Sequence, residues 1–170
     1  MRAFVTVGST KFDSLVQAVL SQPVLHALRS KGYLKLVVQC GNSHVEGYAD
    51  SDTSWSFETH RLEIEMWRFK PSLEEDYDVA DLVISHAGSG TILDVLRKGK
   101  PLIVVPNPTL LDNHQEELAD ALSTLGHLKA STVSDLSQTV LDFDASMLAP
   151  FPQFDGSRFR RFLDQEMGYV

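Results

Sequence analysis

One cysteine, Cys40, in 170 residues excludes an internal disulfide and suits a reducing compartment. Basic residues are scarce, 15 Lys and Arg against 23 Asp and Glu. The net charge of −8 denies the chain the positive surface on which nucleic-acid binding rests. The short basic group Arg158, Arg160 and Arg161 reads as a solvated helix face. No apolar run approaches the ~18 residues of a membrane span. The first seven residues are too short for a secretion signal and read as a strand. Metal-ligand spacing is missing too: His44 and His60 have no partner at a ligand interval, so no metal is expected. Neither an internal repeat nor a low-complexity tract breaks the chain.

What is present is a regular alternation of apolar strands and helix patterns. Strands are expected at 4–7, 36–40, within 57–69, at 82–85, at 102–105 and briefly at 127–130. Helices are expected from about Leu15 to a stop before Pro23, from Val24 to Ser30, and from Leu73 to Ala80. Further helices are expected from Gly90 to Arg97, from about Asn113 to Leu125, from Ser134 to Phe143 and from Ser157 to Met167. Residues 43–54 read as a loop. Ser72-Leu73-Glu74-Glu75 has the form of a capping box. Such alternation predicts an α/β domain, a Rossmann-like parallel sheet with helices on both faces, over residues 1–150. Residues 151–170 form a Pro-containing connector and a last helix. Ligands of such sheets bind beyond the C-terminal strand ends. A regular topology therefore brings Gly8-Ser9-Thr10, Gly41-Asn42, the turn 86–91 and the loop 106–115 to one rim.

The segment 85–115 carries the clearest chemistry. An apolar strand runs into His86-Ala87-Gly88-Ser89-Gly90-Thr91, which opens a helix, and Asp94 follows one turn after Gly90. Small residues at a helix start let backbone N–H groups approach a phosphate. The Walker pattern is absent, and a dinucleotide fingerprint would need a third glycine where Leu93 stands. His86 can donate a ring N–H to a phosphate or sugar oxygen, and more strongly when protonated. Ser89 and Thr91 can donate hydroxyls to phosphate or cap the helix. Asp94 can accept from ribose hydroxyls or complement the helix dipole. Asn113 and Gln115 offer amides to sugar hydroxyls, although Asn113 can equally cap the next helix. Gly8, Ser9 and Thr10 form a small turn that faces His86 across the rim. Asp13 reads as a cap of the first helix, with a role as base as its alternative.

The run His86-x-Gly88, Asp94, Gly99-Lys100-Pro101 and Gln115 resembles the donor-binding motif of nucleotide-sugar glycosyltransferases of the GT-B type. With Phe4–Thr10, Ala80–Gly88, Lys98–Leu102 and Asn113–Ala119, it resembles the C-terminal, donor-binding half of family 28 glycosyltransferases. Within that family, it resembles the catalytic subunits of eukaryotic enzymes that build dolichol-linked oligosaccharide for asparagine-linked glycosylation. The resemblance implies transfer of N-acetylglucosamine from UDP-N-acetylglucosamine to N-acetylglucosaminyl-diphosphodolichol, with inversion, giving a β1,4-linked chitobiosyl lipid. It places the diphosphate at His86 and Gly88, the ribose at Asp94 and the sugar at Gln115. The family commonly has Glu where Asp94 stands. UDP-N-acetylglucosamine is then the donor substrate, and no cofactor is implied.

The resemblance also implies a membrane-anchored subunit that binds the lipid acceptor and holds this one on the cytosolic face of the endoplasmic reticulum. An apolar stripe in the last helix, Phe159, Phe162, Leu163 and Met167, suits docking to that partner or packing on this domain's own sheet. A lone donor site would leave the sugar exposed to water, a poor arrangement for glycosyl transfer. The general base has no assigned residue. A nucleotide-sugar-binding regulatory or scaffold module without turnover remains the alternative, and an NAD-type domain is disfavoured by the missing glycine.

Overall fold

A computed structural model describes residues 1–47, 53–109 and 114–153. In chain order these form β1 (Arg2–Thr6), α1 (Asp13–Leu20), α2 (Gln22–Ser30), β2 (Lys35–Gln39), β3 (Ser54–Thr59), β4 (Leu62–Trp67) and α3 (Glu74–Asp78). There follow β5 (Leu82–His86), α4 (Ser89–Arg97), β6 (Leu102–Val105), α5 (His114–Thr124), β7 (Lys129–Ala130), α6 (Leu136–Asp142) and a 3-10 turn at Ala145–Met147.

The strands join in one sheet, ordered β3-β4-β2-β1-β5-β6-β7. All neighbours are parallel except β3, which runs antiparallel to β4 at the edge. In the centre, Val5 lies opposite Val38 of β2 and Ile84 of β5. These strands are nearly continuous Val, Ile and Leu because both faces are covered. One face of the sheet, with Val5, Val38 and Ile84, packs on α1, α2 and α6 through Leu15, Leu28 and Leu136. The other, with Phe4, Val37 and Val83, packs on α3, α4 and α5 through Tyr77, Ile92 and Ala119. Phe4 is stacked with Trp67 at 6.0 Å between ring centres and meets Tyr77 edge-on at 5.7 Å.

The chain builds leftward from β1 to β2 and rightward from β5 to β6. The order therefore reverses between β1 and β5, and their C-terminal ends flank the crevice where open α/β sheets take ligands.

Several local expectations change. Pro23 lies inside the first turn of α2, where its missing N–H costs nothing, and the break between α1 and α2 falls at Ser21. The helix expected over 73–80 shortens to α3. The capping box does not form: Leu73 stands at the N-cap with no side-chain cap bond, and Ser72 Oγ, one residue earlier, accepts from the Glu74 N–H at 3.2 Å. Strand β3 starts at Ser54, inside the expected loop, because pairing with β4 overrides a weak local pattern. Asp13 makes no cap of α1; its Oδ1 accepts from the His44 N–H at 2.9 Å, pinning the loop after β2 instead. The last helix with Phe159, Phe162, Leu163 and Met167, the arginines at 158, 160 and 161, and Asn113 lie outside the described residues.

Candidate functional site

The loops after β1, β2, β5 and β6 emerge on one rim, as parallel pairing requires. His86 ends β5 and is only 7% exposed. Its ring is packed against two glycines from different loops. A β-carbon at Gly8 would lie 2.8 Å from His86 Cε1, and one at Gly88 would overlap Nε2. Gly8 also has φ +61°, which favours glycine by itself. The small residues of both turns thus let the loops close on an imidazole. Burial pushes the His86 pKa below its ordinary 6.5, opposed by the Thr6 backbone, so the ring is held toward its neutral form. Nδ1 is buried without a hydrogen bond of good geometry.

The turn after β1 is tied down by Gln39, the last residue of β2. Gln39 Oε1 accepts from Thr6 Oγ1 at 2.6 Å and from the Gly8 N–H at 2.9 Å. Its Nε2 donates to the Gly8 carbonyl at 2.8 Å and to the Arg68 carbonyl at 2.7 Å. Both Gly8 backbone groups are therefore satisfied by one buried amide. Asn42 Nδ2 donates to the Ser9 carbonyl at 3.1 Å, so Ser9 is held from the β2 side as well.

Helix α4 starts at Ser89 with Gly88 extended before it, and no side chain caps it. Ser89 and Gly90 are exposed and Thr91 is half-buried. The result is an open helix N-terminus at the switch crevice, with its orphan N–H groups and positive dipole end facing solvent. Asp94 is exposed on the same helix, beyond its first turn, so it is not a dipole-complementing first-turn acid. Tyr77 of α3 is buried beside it. Burial raises the phenol above its ordinary 10, the Thr91 side chain opposes, and Asp94 and Asp76 raise it further.

Across the rim, Gln115 stands at the start of α5, half-buried. Its Oε1 accepts from the Asn107 N–H at 3.2 Å. Asn107 follows β6, is 5% exposed, and donates from Nδ2 to the Lys11 carbonyl at 3.2 Å. Beyond Gln115, away from the small-residue turn, opens a cleft of about 870 Å³. Asn107, Gln115, Glu116, Asp120, Ser131 and Asp135 are among its lining; Gly8, His86 and Gly88 are not. The turn residues line an open rim rather than that cleft.

The structure therefore brings Gly8, Ser9, Thr10, His86, Gly88, Ser89, Gly90 and Thr91 to the crevice, with Asp94 one helical turn after Gly90 on α4 and Gln115 at the head of α5, bonded to the loop after β6. Gln39 and Asn107 escaped the reading of the sequence. Their only sequence signal is a lone amide at the C-terminal end of an apolar strand, Val37-Val38-Gln39 and Val104-Val105-Pro106-Asn107.

Residues 2–165 match the family described as Glycosyltransferase family 28 C-terminal domain. The chain belongs to this family. UDP-N-acetylglucosamine transferase subunit ALG13 of Cryptococcus neoformans is 38% identical, over 97% of this chain and 96% of that protein. The protein of the same name from Mus musculus is 47% identical over 80% of this chain. The chain spans only about a tenth of that relative's length, 11%, and 10% of the Homo sapiens one. Among solved structures, the NMR structure of ALG13 superposes with a TM-score of 0.69 at 30% identity, covering 95% of this chain and 94% of that one. The crystal structure of Acinetobacter baumannii MurG superposes with a TM-score of 0.66 at 23% identity, over 97% of this chain and 49% of that chain, a likeness of fold. The family 28 domain seen here is thus the α/β half of a GT-B glycosyltransferase, as its motif implied. Among the described residues, no helix of this family 28 domain is long and apolar enough to cross a membrane.

Proposed function

We propose that this chain is the donor-binding, catalytic subunit of a two-subunit glycosyltransferase. It transfers N-acetylglucosamine from UDP-N-acetylglucosamine to N-acetylglucosaminyl-diphosphodolichol at the cytosolic face of the endoplasmic reticulum. The observation that carries the reading is the uncapped N-terminus of α4 at the sheet's switch crevice, with Gly88 leaving its backbone accessible. The relatives' shared name, UDP-N-acetylglucosamine transferase subunit, supports the donor and the need for a partner. That partner supplies the acceptor site and the membrane anchor.

In the reaction, the acceptor 4-hydroxyl attacks the anomeric carbon as the bond to the diphosphate oxygen breaks. UDP leaves with the bonding electrons, and the hydroxyl proton passes to a base. The configuration inverts to a β1,4 linkage. The charge that grows on the diphosphate is met by the first-turn N–H groups of α4 and the hydroxyls of Ser89 and Thr91. Gly8, Ser9 and Thr10 close the crevice from the β1 side, beside neutral His86. Asp94 holds the ribose and Gln115 the sugar, which converts binding into orientation. No metal or further cofactor enters the proposal; the helix dipole and these side chains offset the leaving charge.

The test is a transfer assay in membranes that carry the partner subunit but have been depleted of the native catalytic one. Labelled two-sugar lipid should form only when the chain and the partner are both present. Asp94→Ala and Gln115→Ala should each lower transfer by about tenfold or more with the fold intact. Full activity in both variants removes the site assignment. A folded, recruited chain that yields no product would be a nucleotide-sugar-binding module rather than an enzyme.

A further inference from the structure

We propose that Asn107 is a positioning residue that holds Gln115 with its amide NH2 presented to the donor sugar. The inference rests on the reading of Gln115 as the sugar contact. Asn107 is almost fully buried although it sits in a loop, and both its side-chain oxygen and its side-chain nitrogen are hydrogen-bonded. Its backbone N–H donates to Gln115 Oε1 at 3.2 Å. A backbone N–H can only donate, so the oxygen and not the nitrogen of the Gln115 amide must face it. Nε2, on the other branch of that amide, has no hydrogen-bond partner among the described residues. Gln115 is thereby offered to a ligand as a donor, suited to a sugar hydroxyl oxygen.

The side chain of Asn107 fixes the backbone that performs this task. Oδ1 accepts from the Thr109 N–H at 3.1 Å and from Thr109 Oγ1 at 2.8 Å, closing the turn after β6. Nδ2 reaches 96 positions back in sequence to the Lys11 carbonyl, in the loop that begins at Gly8. One residue therefore joins the β1–α1 loop, the β6–α5 loop and the side chain at the head of α5. The sugar-side residue Gln115 is held in register with the turn beside His86.

The test uses the transfer assay with the full chain and its partner. The KM for UDP-N-acetylglucosamine and the inhibition constant for UDP are measured for wild type, Asn107→Ala, Gln115→Ala and the double variant. Asn107→Ala should raise the KM by about tenfold while UDP inhibition changes by less than about twofold. The double variant should be no worse than Gln115→Ala, because the Asn107 side chain acts on the donor only by fixing the backbone N–H that holds Gln115. Asn107→Asp keeps the acceptor for Thr109 and loses the donor to Lys11. It should show the same split, and it serves where the alanine variant does not fold. Equal loss of UDP and UDP-N-acetylglucosamine, or multiplying effects in the double variant, would make Asn107 structural only and overturn the proposal. A Gln115 effect on the KM without an Asn107 effect overturns it as well. An unchanged KM in Gln115→Ala overturns the site reading itself, and the role of Asn107 with it.

Discussion

The His86 imidazole occupies the space that a side chain at Gly8 would need: a β-carbon there would lie 2.8 Å from Cε1. Two loops more than seventy residues apart in sequence thus share one packing contact at the mouth of the crevice.

Gly8→Ala should therefore cost about 3 kcal/mol of folding stability, part from the left-handed backbone and part from the collision with His86. Combined with His86→Ala, it should cost less than the sum of the two, because the collision is gone. Chemical denaturation of the four proteins measures the coupling. Additive losses would mean that the ring moves aside freely.

Acid should weaken the fold through the same histidine. With its folded pKa below 6.5, His86 stays neutral while the unfolded chain takes up a proton. Its contribution is intact above about pH 6.5 and declines as pH falls through that value toward the folded one. His86→Gln cannot titrate, so the stability gap between wild type and variant should change across about pH 7.5 to 5 and stay flat above it. A gap constant across the whole range contradicts a buried, neutral imidazole.

Gln39→Leu should lose about 3 kcal/mol, because it removes the donor to the Gly8 and Arg68 carbonyls and leaves the Gly8 N–H with only one of its two acceptors, Thr6 Oγ1 at 3.1 Å. Donor binding should suffer with it, since the Gly8 turn loses the amide at the end of β2 that bonds both its N–H and its carbonyl. Thermal melting together with UDP titration checks both effects. A stable variant with weakened binding would place Gln39 in the site rather than in the scaffold.

At the opposite rim, the β3–β4 hairpin turns through His60 and Arg61 at φ 51° and 59°. Side chains tolerate this two-residue turn poorly, and Asn-Gly suits it. His60→Asn with Arg61→Gly should raise stability by about 1 kcal/mol, even after losing the Thr59–His60 side-chain contact at 3.0 Å. Transfer should be unchanged, because the hairpin lies at the N-terminal end of the sheet.

Much of the architecture was legible because it is local. Val-rich strands between helix patterns imply parallel pairing with both faces covered, and Gly88 between β5 and α4 marks a helix start. The failures were local as well. The first helix ends before Pro23 as expected, but α2 begins at Gln22 rather than Val24 because a first-turn position tolerates proline, and β3 extends beyond its expected start because its partner β4, not its own pattern, makes it a strand.

Composition and the alternation of strand and helix patterns were enough to expect an α/β domain, and the motif between Ser85 and Gln115 was enough for its resemblance to family 28, since both are read from residues a few positions apart. Which distant residues meet was decided only by tertiary structure. Setting β1 between β2 and β5 places Gly8 under His86 and beside Gln39, and setting β6 next to β5 carries Asn107 to Lys11. Strand order is a property of the whole sheet. A buried amide or a histidine at a strand end acquires its partners, its burial and its protonation state from that order, and not from its neighbours in the chain.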